Sequence, residues 1–191
     1  RPVAVMLSNI ISACPQSGIS RAGVIYEAPV EGGITRLMGL FENYDDLEKI
    51  GSVRSCREYY VYLAAGFDAL YYHYGQAAYA IPLLESDHID NVNGMEYSEQ
   101  VYYRTSDRPS PHNAYLDAAG IAAGIDLCGY RTVMTDFSSL HPRQNRKRWN
   151  RDEMPPMWHR ADISTTIRGF RTMRRAARIC VISSGNRRSM R

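Results

Sequence analysis

The chain has 191 residues, enough for one domain with a sizeable core and no evident second one. Its four cysteines, Cys14, Cys56, Cys128 and Cys180, show no CxxC spacing and no His/Cys cluster, so free thiols are expected and a zinc site is not. The net charge of +3 hides two opposite halves: residues 1–130 hold 8 Lys+Arg against 16 Asp+Glu, and residues 131–191 hold 15 against 4. All 14 tyrosines lie in the first part and both tryptophans, Trp149 and Trp158, in the second, which sets a boundary near residue 131. No run approaches the roughly 20 apolar residues that a membrane span needs.

In chain order, Val3 to Ser8 is a compact apolar run suited to a buried strand, ended by the turn CPQSG at 14–18. Ile-Ser-Ala-Cys at 11–14 also has the small-residue pattern of a lipoprotein cleavage site, but Asn9 breaks an already short apolar stretch, and strand and turn is the better reading. A helical turn over Ile19 to Ala22 follows. Val24–Val30 and Ile34–Phe41 then read as a hairpin around Gly32-Gly33, which supplies the positive φ angles of a tight turn. Lys49 to Val53 is a short strand, Ser55 or Arg57 opens a helix reaching about Phe67, and Asp68 to Tyr74 returns as a strand. Gln76 to Glu85 is a second helix despite Pro82. Residues 86–99 are a polar excursion, Gln100 to Arg104 a strand, and Asn113 the N-cap of an Ala- and Gly-rich helix that ends at Gly129. The alternation gives an α/β fold: a mixed β-sheet with covering helices, followed by a poorly ordered basic tail.

The residues that carry chemistry lie between Val24 and Tyr74. Pairing through the expected two-residue turn sets Pro29 opposite Arg36 and puts Glu27 and Glu31 one diagonal step away on the same face. A desolvated arginine stays charged and needs a partner, so a structural ion pair to Glu27 or Glu31 is favoured over a bound anion. Removing one partner of such a pair would cost roughly 3–5 kcal/mol. GSVRSCR places Arg54 and Arg57 at a helix N-terminus, where unpaired N–H groups already favour an anion. His73 falls at the C-terminal end of its strand, the edge where open α/β sheets hold ligands. Among so many tyrosines it reads first as a hydrogen-bonded packing residue.

Three segments, PQSGISRAGVIYEAPVEGGITRLMGLF, KIGSVRSCREYYVYLAAGFDALYYHYG and YYRTSDRPSPHNAYL, strongly resemble the N-terminal domain of the YerB-like lipoproteins of bacteria, a family classed as a domain of unknown function. The resemblance covers about residues 1–131. It implies a secreted, lipid-anchored protein on the outer face of the cytoplasmic membrane, with a second, C-terminal domain. Neither the lipidated leader nor that domain is visible in this sequence, which therefore reads as a fragment or a damaged gene product. The family brings no established active site, so nothing catalytic is carried onto Glu31, Arg36, Arg54, Arg57, His73 or His112.

Two functions of different class are consistent with these residues. The first is a non-enzymatic envelope module binding an anionic small molecule or glycan through Arg36, Arg54 and Arg57, with Glu31 and His73 beside them. The second is a hydrolase or transferase acting on a phosphate or glycosyl substrate, with His73 or His112 as acid/base and Glu27 or Glu31 as the carboxylate. The first is preferred, since no nucleophile elbow, phosphate-cradling loop or metal cluster supports the second. No cofactor or metal is expected, and no specific nucleic acid, although RQNRKRWNR would hold polyanions. Residues 132–191 read as the product of a shifted reading frame. Apolar periodicity stops at Val133, 14 of the last 61 residues are arginine, and STTIRGFRTM at 164–173 rereads in a shifted frame as YNYPGFPYN. At most an incidental helix around 171–179 is expected there.

Overall fold

Val3–Ser8 forms β1, and every residue of it is buried. A strand with no exposed face must be covered on both sides. Val3, Val5 and Leu7 pack with Ile121 and Ile125 on one side, while Ala4 and Met6 pack with Tyr60, Val61 and Ala64 on the other. The computed structural model describes residues 1–134 and the backbone of 179–181.

Around β1 the main sheet contains β2 (Val24–Pro29), β3 (Thr35–Phe41), β5 (Leu70–His73), β6 (Asn91–Asn93) and β9 (Ile179–Val181), in the order β6-β5-β1-β3-β2-β9. β1, β5 and β6 run parallel, and β3 and β2 continue antiparallel. A small second sheet, β4-β8-β7, joins Ile50–Gly51, Ala114–Leu116 and Tyr103–Arg104. Helix α1 (Glu58–Ala65) and the short α2 (Ile81–Leu84) cover one face of the main sheet, and α3 (Ala118–Cys128) covers the other. The fold is thus α/β, a mixed sheet between helices.

Four expectations are corrected. The hairpin connection is longer than a two-residue turn: Val30 N donates to Ile34 O at 2.8 Å, Pro29 pairs with Thr35 and Ala28 with Arg36. That slip of one residue turns Glu27 to the face opposite Arg36. Residues 86–99 are not only an excursion, because Asn91–Asn93 supply β6. Asn113 does not cap α3. Ala114–Leu116 are extended as β8, and Asp117 caps the helix, its Oδ1 accepting from Gly120 N at 2.8 Å.

Small residues then let α3 approach the sheet. A Cβ on Gly120 would stand 2.1 Å from Val101 O, and one on Gly124 would meet the Tyr72 hydroxyl at 2.9 Å. The helix between Gln76 and Glu85 is shorter than expected, a 3-10 turn over Ala78–Ala80 running into α2, with Pro82 in its first turn. Cys14, Cys56 and Cys128 are free thiols. Residues 135–178 and 182–191, where most of the shifted-frame reading and the incidental helix fall, lie outside the described residues. The backbone of Ile179–Val181 pairs antiparallel with Val24–Tyr26.

Candidate functional site

The parallel strands β1, β5 and β6 all end at one edge, at Ser8, His73 and Asn93. β1 and β5 separate there, and residues 53–56 fill the crevice. Arg54 N donates to Met6 O at 3.0 Å, Arg54 O accepts from Tyr74 N at 3.0 Å, and Cys56 N donates to Gly75 O at 2.9 Å. GSVRSCR is therefore threaded between the carboxyl ends of two parallel strands, the place where α/β sheets hold ligands. Arg36 reaches the same edge from β3, where it stands opposite Ser8.

Arg36 is 5% exposed and makes no ion pair among the described residues, contrary to the expected pairing with Glu27 or Glu31. Glu27 Oε1 accepts instead from the Thr35 hydroxyl at 2.6 Å and from Asn9 Nδ2 at 2.9 Å. Arg36 Nη1 donates to Ser55 O at 2.6 Å and to Ser55 Oγ at 2.9 Å, and Tyr60 donates to the Arg36 carbonyl at 2.5 Å. Burial, then the charges of Arg57 and Arg54, push the Arg36 guanidinium down to about 10, so it remains a cation at neutral pH.

Arg57, the residue before α1, donates from Nη1 to the same Ser55 Oγ at 3.1 Å and to Cys56 O at 2.8 Å. Its Nε and Nη2 grip Glu31: Nε to Oε1 at 2.9 Å and Oε2 at 2.8 Å, Nη2 to Oε2 at 2.5 Å. Burial pushes Arg57 down, but the bonds to Glu31 outweigh it and its net shift is upward. The same bonds hold the Glu31 carboxyl at about 2. Arg54 donates from Nη1 to Pro111 O at 3.1 Å, while its buried Nε has no partner among the described residues. Burial and the neighbouring Arg57 and Arg104 push Arg54 downward.

His73 belongs to the packing. It is fully buried, stacks on Tyr71 with ring centroids 5.2 Å apart, and has Nδ1 2.8 Å from Gly75 O and Nε2 3.1 Å from Asn91 Oδ1. Burial lowers its pKa and favours the neutral ring. Both ring nitrogens are thus engaged within the fold. His112 sits by Arg54, and burial together with the Arg54 charge pushes it downward.

Residues not anticipated complete the edge. The Tyr79 hydroxyl donates to Glu31 Oε1 at 2.8 Å, and Arg104 lies 4.7 Å over the Tyr74 ring while its Nη1 donates to Asn113 Oδ1 at 2.8 Å. Their sequence positions gave no sign of this, since Tyr79 comes from the 3-10 turn before α2 and Arg104 from β7 of the second sheet. A separate depression of about 410 Å³ is lined by Ser17, Gly18, Arg21, Asp46, Leu47, Glu48 and Lys49, and none of the candidate residues borders it. Among the described residues no group of three His, Cys, Asp or Glu side chains could hold a metal ion, and no helix is long and apolar enough to cross a membrane.

Residues 1–131 match the family described as "Protein of unknown function (DUF3048) N-terminal domain". The chain belongs to this family. It is 39% identical over 131 residues to a curated protein named "Putative lipoprotein YerB" from Bacillus subtilis (strain 168), a match covering 69% of this chain and 39% of that protein. The crystal structure of the YerB protein from Bacillus subtilis superposes with a TM-score of 0.66 at 39% identity, covering 69% of this chain and 45% of that one. The chain thus spans under half the length of the relatives it matches, and the family assignment carries a fold without an activity.

Proposed function

We propose that this domain is a non-enzymatic module of the bacterial cell envelope, on the extracytoplasmic side of the membrane, that binds an anionic ligand such as a phosphorylated or acidic glycan. The observation that carries the reading is a charge imbalance at the strand edge. Arg36, Arg54 and Arg57 act on one another electrostatically, and Glu31 is the one carboxylate that makes an ion pair with any of them among the described residues. Buried like charges are unfavourable and persist where something offsets them. Arg36 still has donors to give, since its Nε and Nη2 make no hydrogen bond among the described residues. Planar guanidinium forks suit carboxylate and phosphate. Placement outside the membrane follows the name of the Bacillus subtilis relative.

Calorimetric titration of the full chain with pyrophosphate, glucuronate and neutral glucose tests this. Saturable binding of the two anions, weakened by added salt, lost in Arg36→Met and absent for glucose, is expected. Indifference to all three ligands would overturn the reading.

A further inference from the structure

Glu31 occupies an unusual position for a carboxylate in a binding site, since it covers the arginines from outside. It begins the tip of the β2–β3 connection, Glu31–Gly33, where Gly32 and Gly33 have φ of 78° and 71° and a Cβ on either would meet nothing within 4 Å. The tip therefore stands in open space. Among the described residues, every hydrogen bond that ties Glu31–Gly33 to the body of the fold ends on the Glu31 carboxylate, from Arg57 and from the Tyr79 hydroxyl. The Glu31 side chain is 57% exposed while the Arg57 side chain under it is 12% exposed. Its charge also acts favourably on Arg36, which it does not touch as an ion pair.

We propose that Glu31 is an internal stand-in for the ligand: its carboxylate fills the Arg57 fork in the free protein, and an incoming phosphate group displaces it, with Arg36 alongside, as the tip moves on Gly32-Gly33. This rests on the anion-binding reading above. A carboxylate gripped along the Nε–Nη2 edge of a guanidinium has the geometry that a ligand carboxylate or phosphate would take. The exchange favours one ligand class. Swapping a single negative charge for the roughly −1.5 to −2 of a phosphate monoester better offsets three guanidiniums, whereas a monocarboxylate merely replaces like with like. Phosphorylated ligands should therefore bind more tightly than uronic acids. The hold is not released by mild acid, because Glu31 stays ionised far below neutrality. Competition by a second anion is what opens it. Tyr79, which donates to Glu31 and is itself 53% exposed, is placed to redirect its hydroxyl hydrogen bond to the newcomer.

The test compares the wild-type chain with Glu31→Gln and Glu31→Ala, both on an exposed tip where folding is not at risk, using inorganic phosphate, glucose 6-phosphate and glucuronate. Freed of the competitor, both variants are expected to bind phosphate about fivefold more tightly, the factor withheld by a latch of ~1 kcal/mol. In wild type, saturating phosphate should shift the backbone amide resonances of Gly32 and Gly33. Unchanged or weaker phosphate binding in both variants would show that Glu31 is a ligand-holding or merely structural residue, and would overturn the stand-in while leaving the anion site in place. Tighter glucuronate than glucose 6-phosphate binding would overturn the preference for phosphate. No binding of any anion by any of the three proteins would remove the anion site itself.

Discussion

Two arginine clusters in this fold are built on opposite principles. At one corner Arg1, 3% exposed, and Arg131 converge on Asp68: Arg1 Nε donates to the Asp68 carbonyl at 2.6 Å, Arg1 Nη2 lies 3.2 Å from Oδ1, and Arg131 Nη1 donates to Oδ2 at 2.7 Å. Asp90 adds a second carboxylate, 2.5 Å from Arg1 Nη1. Among the described residues, two cations meet two anions there. At the other end of β1, among the described residues, Arg57 alone of Arg36, Arg54 and Arg57 pairs with a carboxylate, Glu31, whose side chain is 57% exposed. A balanced buried network is satisfied by the fold itself, whereas an unbalanced one keeps a standing demand for negative charge.

The sharpest way to break the comparison is Asp68→Ala, which strips the balanced cluster of its centre. A loss of about 3–5 kcal/mol in urea unfolding is expected, because it leaves Arg1 buried with less charge to answer it. A loss under ~1 kcal/mol would mean that the corner is held by packing alone. A smaller, pH-dependent effect separates burial from charge. His73 is as enclosed as Arg36, but its folded pKa lies below the ordinary 6.5. A depressed histidine contributes stability that is fully present above about pH 6.5 and is lost as pH falls toward the folded pKa. Unfolding free energy should decline across that window, and His73→Gln should flatten the decline. If the slope survives the substitution, another group is its source.

Arg36→Met should change stability by no more than about 1 kcal/mol, and by the same amount in a Glu31→Gln background, since lost hydrogen bonds to Ser55 are offset by relief of a buried charge among like charges. A penalty near 3 kcal/mol that vanishes in the double variant would restore the ion pair first expected from sequence. The smallest effect is on Glu31→Gln alone, where exposure and screening limit the stability change to the worth of the latch, at most about 1 kcal/mol.

Much of the frame was legible because burial wrote itself into apolar runs. β1, the β2 and β3 strands, α1 and β5 were each announced by such a run or by helical spacing. β6 was hidden because only Val92 of Asn91–Asn93 is apolar, its flanking asparagines being spent on hydrogen bonds to Leu84 at the end of α2 and to Gly75. β8 was hidden because Ala114–Leu116 reads as well as the start of the following helix. The arginine edge was half legible: glycine, arginine spacing and strand order brought Arg54, Arg57 and Arg36 together. A single residue of hairpin register then decided which carboxylate could reach which arginine, and no local pattern reveals that. The Asp68 corner was illegible, since its partners lie 67 and 63 residues away in the chain.

That corner also fixes how the domain can be carried. Arg1 Nη1 donates to the Arg131 carbonyl at 3.2 Å, so the two ends of the segment shared with the family lie side by side. β1 runs from beside them to Ser8 and Arg36, a path of about 17 Å for a strand of its length. Any tether or partner domain attached through either end of that segment would meet the molecule at its charged corner, a strand's length away from the arginine edge.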